Sequence, residues 1–566
     1  MKTNYHTAIS RHGFLVLLFL FISQVAFAVP AKPGVRRDLT LADGTVVNAV
    51  LVGDEHGHYW LADDGKGYRI KDGLGERVDI ERIQKKAQMH KSEANSRRAK
   101  RLVQNSPAKG KSASFIGKKK GLIILVAFSD VDFKKGHDNV LFGKIANEKG
   151  YSEGNFKGSV SDYFYDQSET LFELTFDVVG PFTLKETQHY YGENFGEDDA
   201  DKHAAEMVIE GLEQADSKVN FADYDWDGDG EVDQVFVIYA GKNEADGGPA
   251  DCIWPHEWTL DGASYAYGDG TGRQKMDGVW IDTYACGSEL SGSGKLAGIG
   301  TICHEFSHCL GYPDYYDTDY SGGRGMYTWD VMDTGSYNGD SFVPAGYTSY
   351  ERWVAGWKTP IELTDTTHVE SMKSLQNGGE TYVIYNKGHR DEFYLLENRQ
   401  KVAWDRYVPG GGLLILHVDY DEKVWFDNTP NDDPEHQRMT WIAADNEYQY
   451  TMYDGDKYLT TEGAANDPFP YDSINAFNKN TTPAAIFYNA NEDGTYFLDA
   501  SVENISKNQD GTVSFSFFPY ESKETGIAVN RIQEQADVWY DLTGRRLNGV
   551  PTSPGIYIKS GRKIVL

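Results

Sequence analysis

Cysteine is scarce. The 566 residues hold four, at positions 252, 286, 303 and 309. A chain this long with so few thiols does not rest on a disulfide framework. None precedes Cys252, so no N-terminal thiolate is available to block a downstream metal. Basic charge is also in short supply: 55 Lys and Arg face 86 Asp and Glu, for a net charge of −31. That balance argues against a nucleic-acid partner, which needs a basic face. Beyond the first 28 residues no apolar run is long enough to span a bilayer. No repeat of solenoid period occurs. Aromatics, by contrast, are plentiful, with 36 Tyr, 27 Phe and 12 Trp. Such material fills several buried cores, and the length calls for more than one domain.

The charge is unevenly spread. Residues 81–120 carry a net +11, and residues 121–566 a net −42. Lys2 and Arg11 precede an apolar run from Phe14 to Ile22, and Ala26-Phe27-Ala28 has the A-x-A form of a cleavage site. Residues 1–28 thus read as a secretory signal peptide cut before Val29, and the run is too short for an anchor. Residues 29–118 read as a removable basic pro-segment, with short strands to residue 80 and a charged helix over 81–104. A Lys/Gly/Ser-rich connector follows over 105–120. RRAKR at 97–101 and KKK at 118–120 are expected as exposed cutting sites. The blander alternative is a small N-terminal β domain with a linker.

From Gly121 the pattern changes. GLIILVAFSD is a continuous apolar run of strand length, as strands buried on both faces read. Helical stretches around 159–167 and 197–215 alternate with strand-like LFELTFDVVG and VDQVFVIYAG. The expectation is an α/β domain over 119–360. Alternating runs between Gly, Asn and Asp turns then predict a β-sandwich over 361–520, and residues 525–566 a small C-terminal β domain.

The chemistry concentrates in HEFSHCLGYPD, His304 to Asp314. On a helix His304 and His308 are four residues apart, about 40° around the axis, so both imidazoles reach one metal ion. Glu305 beside them is placed as a general base. Gly311 suits a positive-φ turn that brings Asp314 back as a third ligand. Two His and a carboxylate suit a catalytic zinc with an open position. Asp317 and Glu351 compete with Asp314 for the third place. Chance would supply H-E-x-x-H in such a chain roughly 0.03 times.

A second acidic loop, Asp225, Asp227, Asp229, Glu231 and Asp233 with Gly230 at the turn, spaces oxygen ligands as Ca²⁺ requires. Phe236 stands where an EF-hand has its bidentate Glu, so the ion would be structural. Glu397 and Asp419 could bind calcium or be surface charge. His256 and Glu257 in WPHEW are adjacent, and adjacent residues rarely converge on one ion, so they read as structural. Cys303 and Cys309, on one helix, would lie about 9 Å apart and cannot bridge; a Cys252–Cys286 pair stays open.

These residues resemble a family. HExxHxxGxxD is similar to the zinc motif of metzincin peptidases, with Asp for the commoner third His. SVSDYFYDQSE, DWDGDGEVDQVFVIYAG, WPHEW, HEFSHCLGYPDYYD, WDVMDTGSYNG and LLENRQ resemble the M6, immune-inhibitor-A-type metalloproteases over about 121–420. The resemblance implies a secreted zinc endopeptidase, EC 3.4.24 in type, made with a pro-segment and acting on protein and peptide substrates. It also implies a Met-turn carried by Met332. Many metzincins place a Tyr two residues after that Met; here Thr334 stands there, and Tyr337 is the candidate oxyanion stabiliser, with a surface Tyr as the alternative. Latency then needs a carboxylate, a His or steric cover, and Asp54 is one candidate. VWYDLTGRRL and GIYIKSGRKIVL resemble the C-terminal sorting domain of type IX secretion cargo, implying an extracellular or cell-surface protein and a secretion machinery as partner. A monomer is expected. The competing reading is a calcium-stabilised adhesin on the same scaffold, its catalytic site turned to binding.

Overall fold

The computed structural model describes residues 27–85, 115–194, 201–267, 272–448, 450–453, 456–459, 464–520, 538–559 and 562–566. Most of the signal-peptide reading, the RRAKR site and most of the helix expected over 81–104 lie outside them; that helix begins within residues 80–85.

The apolar run at 121 forms an inner strand of a six-stranded sheet. Gly117–Ala127 lies between Phe172–Thr183 and Val235–Lys242, parallel to both. Thr283–Leu290 continues the parallel set beside Val235–Lys242. His256–Thr259 then pairs antiparallel with Thr283–Leu290. Outermost is Phe27–Ala28, antiparallel to His256–Thr259 with Phe27 opposite Glu257 and Ala28 opposite His256. The chain's own N-terminal segment thus covers this edge. Central strands have both faces buried, which is why 121–127 and 235–240 show no alternation.

The two faces carry separate cores. On one, Ala204–Ala215 packs Met207, Val208 and Leu212 against Leu122, Ile124 and Val237. On the other lie Val160–Gln167, opened by a capping box between Ser159 and Asp162, and the motif helix Gly300–His308. Phe306 anchors the motif helix by edge-to-face contacts with Phe164 and Phe176, at 5.7 and 5.2 Å between centroids.

One expectation needs correction, and one open question closes. Lys118 and Lys120 are exposed as expected, but Lys118–Lys120 is no connector: it is part of the strand Gly117–Ala127, paired with Glu173–Thr175. Lys119 Nζ donates to Trp226 O at 2.7 Å, and Lys120 Nζ meets Asp177 and Asp223 at 3.2 and 3.3 Å. A protease needs an unpaired extended chain, so this site is closed to cutting. Nor do the cysteines pair: all four are free and buried. Cys286 Sγ lies 3.5 Å from His256 Nδ1, and burial pushes its thiol well above the ordinary range.

The N-terminal segment folds as a five-stranded antiparallel sheet, Arg36–Thr40, Val46–Asp54, Gly57–Ala62, Gly67–Lys71 and Leu74–Val78 in that order. After residue 360, Ile361–Glu362, Tyr382–Tyr385, Glu392–Arg399, Gly412–Asp419 and Met439–Ile442 form a five-stranded sheet. It packs on a three-stranded sheet, Thr367–Met372, Val513–Pro519 and Ala500–Lys507, with Tyr394, Leu413, Ile415, Phe515 and Phe517 between them. A four-stranded sheet of residues 539–565 rests on it through Ile486, Tyr488, Tyr540 and Ile558.

The five-stranded sheet also packs the other way. Its Phe393, Leu395, Leu416, Val418 and Trp441 join one core with Phe306, Trp329 and Met332 of the motif region. Arg399 stitches this junction. Fully buried, it meets Asp405 at 2.6 Å and Glu397 at 3.1 Å and donates to Trp329 O at 3.0 Å. Arg399→Met leaves two buried carboxylates without their cation and is expected to cost about 3–5 kcal/mol, read as a lower urea midpoint. No helix among the described residues is long and apolar enough to cross a membrane.

Candidate metal centre

The motif helix Gly300–His308 is buried along its whole C-terminal half. Gly311 follows at φ +94°, a conformation open to glycine, and its N–H returns to His308 O at 2.8 Å. That turn brings Asp314 under the helix. Asp314 Oδ1 lies 3.1 Å from His304 Nε2 and 3.6 Å from His308 Nε2, and all three side chains are fully buried. Ligand atoms of His304, Glu305 and His308 lie within 4.8 Å of one another.

The imidazoles are fixed from behind. His304 Nδ1 is 2.7 Å from Val331 O and His308 Nδ1 is 2.8 Å from Tyr312 O. A carbonyl only accepts, so each Nδ1 carries the proton and each Nε2 turns a lone pair to the centre. Met332 sits in the same turn as Val331, fully buried, and its carbonyl accepts from Tyr315 N–H at 2.9 Å. The donors present suit a metal. His304 Nε2, Glu305 Oε2 and Asp314 Oδ1 are buried with no hydrogen-bond partner, a costly arrangement unless an ion is held there. Two imidazoles and a carboxylate are donors for zinc.

Of the competing third ligands, Glu351 is engaged elsewhere, accepting from Thr348 Oγ1. Asp317 belongs to another cluster, with Asp319 and Asp432. Sequence reading missed Asn428, which lies 114 residues beyond Asp314 in the five-stranded-sheet module. Its Nδ2 donates to Asp314 Oδ2 at 2.7 Å and its Oδ1 accepts from Asp314 N at 2.7 Å. No local pattern marks it, because an Asn in a loop is ordinarily a turn residue.

Glu305 has an unexpected neighbour. The Val29 N–H donates to Glu305 Oε1 at 2.9 Å, and Val29 is fully buried. Around it Trp254 Nε1 donates to Val29 O at 3.0 Å and Tyr337 Oη to Pro30 O at 2.7 Å. Lys32 bridges Asp246 and Asp340 at 3.2 and 2.6 Å. Trp60, Leu51 and Leu39 share a small core with Trp254 and Ala245. Main chain, not the Asp54 carboxylate, thus meets Glu305; Asp54 Oδ1 accepts from His56 N at 3.0 Å in its own hairpin. Tyr337 is no plain surface residue, since it packs against this segment. Burial, and after it the Asp314 carboxylate, pushes the Glu305 carboxyl well above its ordinary range. A carboxylate so placed takes a proton readily.

In the second loop, carboxylate oxygens of Asp225, Asp227 and Asp229 lie within 4.8 Å of one another. Asp225 holds the turn by accepting from Gly228 N and Gly230 N at 2.8 and 3.0 Å. Glu231 and Asp233 do not join the three. Glu231 reaches towards Arg273 at 3.5 Å, and Asp233 accepts from Trp226 N at 2.6 Å. Glu397 and Asp419 carry protein cations, Arg399 and Arg438, at 3.1 and 3.0 Å. His256 lies buried in the edge strand with Nδ1 on Trp254 O, and burial lowers its pKa to about 4.

Comparison with known proteins matches part of this sequence to a family model. Residues 115–357 match the Immune inhibitor A peptidase M6 catalytic domain. Pre-pro-metalloprotease PrtV of Vibrio cholerae is 28% identical over 270 residues, 41% of this chain and 29% of that protein. Immune inhibitor A of Bacillus thuringiensis subsp. alesti is 28% identical over 309 residues, 46% of this chain and 44% of that protein. The chain spans less than half the length of either relative. Its segment 115–357 is thus similar to the catalytic domain of the immune inhibitor A peptidases, family M6.

Proposed function

We propose that the protein is a secreted zinc endopeptidase of the metzincin type, held latent by its N-terminal segment. The observation that carries this reading is the convergence of His304, His308 and Asp314 beside Glu305, where His304 Nε2 and Asp314 Oδ1 are buried with no hydrogen-bond partner. The two imidazoles and Asp314 would hold Zn²⁺, with Met332 in the turn beneath. Bound there, zinc supplies Lewis acidity that polarises a carbonyl and makes water acidic near neutral pH. Glu305 takes the proton from the attacking water and returns it to the leaving amine. Tyr337, whose hydroxyl already donates to a main-chain carbonyl, is suited to hold the carbonyl oxygen as charge develops on it. The loop from Asp225 would hold a structural Ca²⁺.

Signal cleavage before Val29 would make the Val29 nitrogen a chain terminus facing Glu305. Residues 29–35 would then lie across the site as a plug. Export, passage through a type IX-like machinery by the C-terminal sheet, and a monomeric state complete the proposal. The test is a peptide library incubated with the processed protein, with and without a chelator, and sequencing of the new termini. Chelator-sensitive cuts restored by zinc support the reading. Absence of cuts after removal of the N-terminal segment favours the adhesin instead. Asn428→Ala, which frees Asp314 to turn, is expected to weaken zinc about 10–100-fold in competition with a chromophoric chelator.

A further inference from the structure

We propose that Asp317, Asp319 and Asp432 form a second cation site, of the Ca²⁺ class, that ties the M6-like domain to the following β-sheet module. One carboxylate oxygen from each of the three lies within 4.8 Å of the others. They come from two loops far apart in sequence, 317–323 and 428–433. Asp317 is 8% exposed. Its Oδ2 accepts from Gly322 N and Gly323 N at 2.8 and 2.7 Å, which fixes the side chain. Its Oδ1 is buried with no hydrogen-bond partner, and the residue belongs to the three-carboxylate cluster.

Such an atom is the observation that lifts the cluster above an ordinary acidic patch. A buried carboxylate oxygen beside two further carboxylates is strongly disfavoured unless a cation is shared among them. The chemistry of the donors selects the ion. All are carboxylate oxygens, with neither nitrogen nor sulfur, which excludes a zinc-type preference and suits a hard cation. Ligands on two separate loops, completed by water, fit the flexible coordination of Ca²⁺ better than the near-ideal octahedron of Mg²⁺.

The surroundings are built to hold this geometry. Asp432 Oδ1 accepts from Thr318 N at 2.8 Å and from Thr318 Oγ1 at 3.0 Å, and Asp432 O accepts from Ser321 Oγ at 2.5 Å. The two loops are thus laced together around the three carboxylates. The same second loop carries Asn428, the residue that grips Asp314. An ion at this position therefore steadies the loop behind the third candidate zinc ligand.

The test counts ions on the full chain and needs no hydrolysis, so its failure would leave the peptidase reading untouched. Chelator-stripped protein is titrated with Ca²⁺ in equilibrium dialysis, alongside Asp319→Asn, Asp432→Asn, their double variant, and Asp227→Asn as a reference for the other loop. The double variant is expected to bind one Ca²⁺ fewer, or to bind it at least tenfold more weakly. Asp319→Asn and Asp432→Asn should give the same deficit, whereas Asp227→Asn should lose only the other loop's ion, so that combining it with the double variant adds a second, separate deficit. Mg²⁺ in place of Ca²⁺ should bind there more weakly. A double variant that binds as many ions as tightly as the unmodified chain overturns the proposal. If the variants do not fold, the unmodified chain is crystallised with Tb³⁺. An anomalous peak among Asp317, Asp319 and Asp432 supports the site, and none there overturns it.

Discussion

Glu305→Gln, in a chain cleared of its N-terminal segment, is expected to lower kcat/KM on casein by about 10²–10⁴-fold, with zinc content unchanged at one ion per chain. The substitution keeps size and a carbonyl oxygen but removes the carboxylate proposed as proton acceptor. His304, His308 and Asp314 are left in place, and the Nδ1 hydrogen bonds to Val331 O and Tyr312 O do not involve Glu305. Binding of metal and loss of rate therefore separate. The expected loss corresponds to about 3–5 kcal/mol of transition-state stabilisation. Caseinolysis at the unmodified rate would remove Glu305 from the mechanism. A loss of zinc together with activity would instead give it a ligand's role.

The second large effect concerns the N-terminal segment. Cutting within 97–101 alone is expected to leave the protein nearly silent. The contacts that hold the segment are not those of the severed link: they are the Val29 hydrogen bond to Glu305, the Lys32 bridges to Asp246 and Asp340, and the core around Trp60 and Trp254. The nicked segment should stay bound until dilution or degradation removes it. Full removal is then expected to raise kcat/KM at least about a hundredfold, the ratio for a plug in place 99% of the time, or about 2.7 kcal/mol. Residues 29–85 added back should inhibit in a concentration-dependent way. Immediate full activity on nicking, or no rise on removal, would deny the segment its role as a plug. Lys32→Glu, which sets a carboxylate against Asp246 and Asp340, should shorten the lag between nicking and activity.

Much of the site was readable because its information is local. His304, Glu305, His308, Gly311 and Asp314 occupy eleven consecutive residues, and helix geometry plus one positive-φ turn brings them together. The alternation of strand and helix from Gly121 was equally plain, since buried parallel strands announce themselves as unbroken apolar runs. What escaped reading depends on contacts between distant segments. Asn428 meets Asp314 across 114 residues, and Val29 meets Glu305 across 276. Lys118–Lys120 looked like a linker because three lysines suggest solvent, yet Asp177, Asp223 and the Trp226 carbonyl supply their partners. Glu231 fitted the spacing of a calcium loop, but Arg273 competes for it.

The junction between the M6-like domain and the sheet that follows has a practical meaning. Similarity to the family ends at residue 357, which invites cutting the gene there to obtain the catalytic part alone. The interior disregards that border. A fragment ending at 357 would bare the faces of Trp329, Met332 and Phe306 that Leu395, Leu416 and Trp441 now cover. It would also lose Arg399 beneath the turn and Asn428 behind Asp314. Kinship and autonomy part company in this chain: the unit that evolution recognises is smaller than the unit that can stand by itself.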